Sequence, residues 1–180
     1  MDFNFLYIKD AVLSALNKLK DNEQSIIAND VSERAITHKL AEYLQLEFKN
    51  FHVDCEYNRN FENGPKAPKN IKVLNDNLST HIRKKEPAAE HREQFYKEVS
   101  TYPDIIVHKR KTNEKNLLII EVKKDTNNSN WAMDEIKLNE FTKPKECNGY
   151  GFEFGLHITI FISETWKTPE LIWYSEGDRI

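Results

Sequence analysis

The chain predicts an α/β protein with a mixed β-sheet flanked by helices. Three observations predict it. The N-terminal quarter places its apolar residues at helical spacing. Two β-branched, aliphatic runs, Tyr102-Pro-Asp-Ile-Ile-Val-His and Asn116-Leu-Leu-Ile-Ile-Glu-Val-Lys-Lys, read as buried strands joined by a short polar turn. A further helical stretch and two more strand-like runs follow, and alternation of this kind builds layered α/β proteins.

The elements follow in order. Phe3 to about Lys20 sets Phe5, Ile8, Val12, Leu16 and Leu19 on one stripe and predicts a helix that Asp21-Asn22 ends. Asp30 to about Leu46 predicts a second helix, with Asp30 as N-cap and Glu33 three residues on, as in a capping box. Phe51 to Tyr57 alternates as a strand, with His52, Asp54 and Glu56 on one face. Asn60 to about Ser79, punctuated by Gly64, Pro65 and Pro68, reads as an irregular insertion. Pro87 to Val99 reads as a surface helix or flap, so the insertion spans about 60–99. The two apolar strands turn at Lys111–Lys115. Trp131 to Phe141 predicts a helix capped by Ser129 or Asn130, and Phe154–Ile162 and Glu170–Tyr174 predict the last strands.

A length of 180 residues predicts one domain. The composition, 39% hydrophobic and 31% charged, suits a packed core and argues against a disordered chain. No apolar run approaches the roughly 20 residues needed to span a bilayer, and no basic start leads into an apolar signal core. Two cysteines, Cys55 and Cys147, give no disulfide framework or zinc spacing. These features predict a protein of the reducing cytoplasm with no membrane partner. Net charge is −3, but His81–Lys124 holds 11 Lys/Arg against 7 Asp/Glu while the remainder holds 15 against 22. A basic segment suits a polyanion, although a solvated charged surface is the commoner source of so small an imbalance.

The charges on the two apolar runs carry the chemistry. Asp104 opens one strand and Glu121 and Lys123 close the other, so an antiparallel hairpin brings the three together. Glu121 and Lys123 are two apart and share a strand face. Two carboxylates offer the hard oxygen ligands that Mg²⁺ takes, with an ammonium beside them. The ordinary alternative is two strands whose polar ends reach solvent.

Pro103-Asp104 followed by Glu121-Val122-Lys123 resembles the PD-(D/E)xK, or restriction-endonuclease-like, nuclease superfamily over Val31–Ile162. The resemblance implies an αβββαβ core and Mg-dependent hydrolysis of phosphodiester bonds in nucleic acid, DNA before RNA, with Mn²⁺ an alternative metal. It implies Asp104, Glu121 and the Val122 backbone carbonyl as metal ligands. Lys123 would orient or help deprotonate the attacking water, with burial beside a metal lowering its pKa. Glu33, at the place of the superfamily's helix glutamate, would add a ligand to a second metal, and Lys137 would face the site from the helix after the hairpin. Homodimers are common in the superfamily.

Other residues weigh less. Arg59 and the cluster Arg83-Lys84-Lys85 suit phosphate contact, although an arginine placed like Arg59 is more often simply on the surface. Asp54 and Glu56 suit solvent or a supporting role near the metal, and Lys124 suits solvent. Arg34 and His38, one turn apart, and His157, inside a strand, suit structural roles. No nucleophile triad signature and no Gly-rich phosphate loop occurs. The competing function is a nuclease-fold module without catalysis that binds nucleic acid or a protein partner.

Overall fold

The computed structural model describes residues 5–59, 69–74, 96–127, 131–147 and 149–180. Helices α1 (Phe5–Ala28) and α2 (Glu33–Glu47) lead into strand β1 (His52–Cys55). Strands β2 (Asn70–Leu74), β3 (Tyr96–Ser100), β4 (Ile105–His108) and β5 (Asn116–Lys124) follow. Helix α3 (Trp131–Thr142) then crosses to β6 (Phe154–Ile160), β7 (Glu170–Ser175) and β8 (Asp178–Arg179). The protein is α/β, the described residues forming three α-helices and an open mixed sheet of six strands in the order β1-β4-β5-β6-β7-β8. Among the described residues only the β5–β6 pairing is parallel, and a helix carries the chain between those two strands. Among the described residues no helix is long and apolar enough to cross a membrane.

The alternation of β4 and β5 sorts the core into two layers. Ile105, Val107, Leu118, Ile120 and Val122 pack with the stripe Ile8, Val12, Leu16 and Leu19 of α1 and with Ile36, Leu40 and Leu44 of α2. Ile106 and Ile119 face the other way, onto Leu138 and Phe141 of α3. Glu121 and Lys123 continue the Ile119 face, so they emerge beneath α3. Close packing holds α3 there: a Cβ at Gly155 would lie 3.0 Å from Thr142 Cγ2 and 3.3 Å from Leu138 Cδ2.

Several boundaries differ from expectation. Helix α1 runs past Asp21-Asn22, bending at Glu23 (φ −124°, ψ 19°), because Ile27 buries completely and Ile26 packs on the core. Asp30 is not the cap of α2. It stands at φ 49°, Val31 N–H bonds back to Ile26 O at 3.2 Å and Asp30 N–H to Ile27 O at 3.2 Å. That pattern is a Schellman motif ending α1, with Val31 and Ile26 both against the core. Ser32 caps α2 instead, its side chain accepting from Ala35 N–H. Glu33 is therefore the first helical residue, where no capping-box bond can form.

Strand β1 stops at Cys55 and Glu56 takes φ 49°, which ends the alternation that put Asp54 and Glu56 on one face. In the expected insertion, Asn70–Leu74 and Tyr96–Ser100 are paired antiparallel strands. The end of the expected Pro87–Val99 helix is thus a strand, while its start, and the cap positions Ser129 and Asn130, lie outside the described residues.

Candidate functional site

The site begins with register. Strands β4 and β5 pair Ile105 with Ile120, and one further step sets Asp104 across from Glu121. Opposite residues of an antiparallel pair share a face, so the hairpin brings the two acids together. Strand β4 ends here, however, and β5 continues to Lys124. The outgoing edge of β5 is closed by side chains. Asp104 Oδ2 accepts from Val122 N–H at 2.8 Å, and Glu33 Oε2 accepts from Lys124 N–H at 3.0 Å. A strand residue's N–H and C=O point to the same side, so the Val122 carbonyl also faces the Asp104 side.

Glu121 is 1% exposed. Its Oε2 accepts from Lys137 Nζ at 2.9 Å, while Oε1 is buried without a hydrogen-bond partner among the described residues. Burial raises the Glu121 pKa well above the usual carboxyl range, and the nearby Asp104 and Asp134 add to the rise against the pull of Lys137. Burial likewise raises Asp104, opposed by the Val122 N–H and by Lys137 and Lys123.

The residue that sequence reasoning missed is Asp134, in the first turn of α3 and 3% exposed. It lies 3.0 Å from Lys137 Nζ and 3.3 Å from Lys123 Nζ. Its signal was present: Asp134 and Lys137 stand three apart on one helix face. Lys123 also lies 3.6 Å from Glu33 Oε1. Burial alone would lower the Lys123 pKa, as expected of a water-activating lysine, but Asp134, Glu33 and Asp104 outweigh it and raise it. Lys123 in this state is an ammonium. Lys137 is raised in the same way, Glu121 and Asp134 overcoming its burial.

Glu33 is neither exposed nor a cap. Besides Lys124 N–H, its Oε2 accepts from Asn127 Nδ2 at 3.0 Å, tying the start of α2 to the end of β5. Lys124, expected in solvent, is 2.7 Å from Asp30 Oδ1. A cleft of about 440 Å³ opens between α2 and the end of the sheet, lined by Glu33, Arg34, His38, Glu56, Tyr102 and Asp104 among others. It reaches Asp104 and Glu33, not the buried Glu121. Arg34 pairs with Glu56 at 3.0 Å across its rim, and His38 lies 3.5 Å from Glu42.

Other candidates lie apart. Asp54 turns to the sheet edge, where it accepts from the buried His108 at 2.9 Å and from Arg110 Nε at 2.9 Å. Arg59 is in the same neighbourhood, its carbonyl accepting from the buried Lys69 Nζ at 2.7 Å. His157 pairs in register with Glu121 beneath α3, its ring 4.1 Å from that of Trp131, with both nitrogens buried and without a partner among the described residues. Arg83, Lys84 and Lys85 lie outside the described residues.

Among the described residues no group of three or more His, Cys, Asp and Glu gathers closely enough to hold a metal by side chains alone. A Mg²⁺ ion does not require one, since it takes one or two carboxylates and fills its shell with water, phosphate or carbonyl oxygen. Asp104, the partnerless Oε1 of Glu121 and the Val122 carbonyl are a donor set of that kind, all oxygen and hard. Comparison with protein-family models, curated proteins and solved structures gives no match in any of the three.

Proposed function

We propose that the protein is a Mg-dependent nuclease with a restriction-endonuclease-like core, hydrolysing phosphodiester bonds. One observation carries the reading: Asp104 and Glu121 stand opposite at the open end of the β4–β5 hairpin, and Glu121 keeps a buried oxygen with no partner among the described residues. A fold with no use for that oxygen leaves a buried acceptor unsatisfied at a cost of about 1–3 kcal/mol. The element order α2, β1, β4, β5, α3, β6 fits the αβββαβ core once β2 and β3 are set aside as an insertion.

In this reading Asp104, Glu121 and the Val122 carbonyl hold the metal. Mg²⁺, when bound, supplies a hydroxide-like nucleophile and screens charge on the phosphate. The chain supplies position. The Val122 N–H fixes one Asp104 oxygen, so the other is free to turn toward the ligand. Lys137 keeps Glu121 ionisable in a buried setting. Lys123, an ammonium, is suited to orient water and neutralise the phosphate, and it is a poor base until its acids are otherwise engaged. Nucleic acid would approach through the cleft beside Asp104, and Mn²⁺ should substitute for Mg²⁺.

The test is cleavage of end-labelled single-stranded DNA, duplex DNA and RNA with Mg²⁺, Mn²⁺, Ca²⁺ or chelator. Cleavage that needs Mg²⁺ or Mn²⁺ and disappears in Asp104→Asn and Glu121→Gln supports the reading. Binding without cleavage in every metal favours the non-catalytic module.

A further inference from the structure

We infer that Asp134 is a positioning residue that gives the two lysines of the site separate tasks; the inference rests on the nuclease reading above. The carboxylate is buried, with its side chain 5% exposed. Its Oδ1 accepts a hydrogen bond from Lys137 at 3.0 Å. Its Oδ2 lies farther, 3.3 Å from Lys123 Nζ, outside good hydrogen-bond geometry among the described residues, so charge more than directed bonding holds Lys123. The result is a line of alternating sign, Glu121–Lys137–Asp134–Lys123–Glu33, with spacings of 2.9, 3.0, 3.3 and 3.6 Å.

The arrangement settles a competition. A lysine is a compact charge on a flexible four-carbon stem, and it moves to the carboxylates within reach. Lys123 has two besides Asp134: Glu33, and Asp104, whose field it already feels. A lysine drawn onto Asp104 would occupy the oxygen that a metal needs. Asp134 draws it the other way, onto α3, while its other oxygen fixes Lys137 against Glu121. Lys137 is thereby the counter-charge of a metal ligand, and Lys123 stays clear of the ligands and available to water and phosphate.

Asp134→Asn separates the two tasks. A carboxamide has one oxygen and keeps the shape. That oxygen can retain the directed bond to Lys137, but with the charge gone Lys123 is left to Glu33 and Asp104. Loss of a partner that orients a site residue typically costs about 10–100-fold, so kcat should fall by about that factor with little change in KM. In a Lys123→Ala background, Asp134→Asn should produce no further fall, because the residue it positions is absent; coupled residues are non-additive in this way. An equal fall in both backgrounds would mean that Asp134 acts on the fold or on Lys137, and would overturn the inference while leaving the nuclease reading intact.

A second readout needs no activity. In lysine-¹⁵N spectra of the metal-free wild type, the hydrogen-bonded Lys137 ammonium should exchange with water more slowly than that of Lys123, and Asp134→Asn should speed exchange at Lys123 only. Equal protection of the two lysines in the wild type would overturn the inference even if the variant failed to fold. A wild type that cleaves nothing, yet shows this difference, would instead count against the nuclease reading.

Discussion

Glu121 is held by Lys137, one helix away, and not by Lys123, two residues along its own strand. The Lys137 Nζ lies 2.9 Å from Glu121 Oε2, with the carboxylate 1% exposed and the lysine side chain 19% exposed. A buried pair of this kind is weak evidence for stability as a whole, but its halves are unequal to lose. Removing one partner strands a charge in a low-dielectric interior, while replacing both is often tolerated.

Lys137→Met should therefore destabilise the metal-free protein by about 3–5 kcal/mol at neutral pH, the range for breaking one side of a buried pair. Adding Glu121→Gln should recover most of that loss. Urea unfolding of the two single variants and the double variant measures the coupling. Simple addition of the two effects would show that the contact is energetically idle.

Glu121 also sets a pH dependence. Its folded pKa is raised above the ordinary carboxyl value, chiefly by burial. A carboxyl that holds its proton more tightly when folded stabilises fully below its unfolded pKa of about 4.3. That contribution is lost as pH rises through the raised folded value. Glu121→Gln should accordingly melt above wild type at neutral pH without metal, Lys137 keeping Asp134 as its partner, and the gain should shrink toward pH 4. Calorimetric melting from pH 4 to 8 reads the trend; a variant less stable than wild type at pH 7 would show that the ion pair outweighs burial.

Metal binding should follow the oxygen donors. In calorimetry with Mn²⁺, Asp104→Asn and Glu121→Gln should lose most of the binding heat. Lys123→Ala should bind as well as wild type or better, since it supplies no ligand and removes a positive charge. Equal binding by all four proteins would refute the ligand set.

The helix caps give a test that involves no catalysis. Ser32→Ala should cost about 1 kcal/mol, the usual value of a lost N-cap. Asp30→Gly should cost little, because Asp30 occupies a left-handed position that glycine takes freely and its pair with Lys124 is half exposed. The reverse ranking in thermal melts would restore Asp30 as the cap.

These cases also show what a sequence makes legible. The β4–β5 hairpin was readable because Ile105, Ile106, Leu118 and Ile119 are β-branched or aliphatic and bury on both faces, and register then follows from counting. Strands β2 and β3 were not, since their pairing joins segments more than 20 residues apart and is decided by tertiary context rather than by local preference. The expected end of α1 failed because Ile26 and Ile27 found core contacts beyond a polar stretch that reads as a stop. Within the site, the meeting of Asp104 with Glu121 was legible from strand order. The allegiance of the two lysines was not, because it depends on Asp134, a single acid on a helix of mixed polarity, whose importance appears only once α3 lies across the sheet.

The uneven lengths of β4 and β5 have a consequence for experiments. Asp104 and Glu33 occupy the Val122 and Lys124 amides, two donors that would otherwise project from a bare strand margin. A margin of that kind recruits strands from other molecules. Alanine at either acid, the usual choice for an inactive control, removes a plug as well as a carboxylate, and such proteins are expected to self-associate at high concentration. Asp104→Asn and Glu33→Gln keep an acceptor on each amide and are the sounder controls. Light scattering of the alanine and amide variants side by side would separate a protein that has lost only a charge from one that has gained a neighbour.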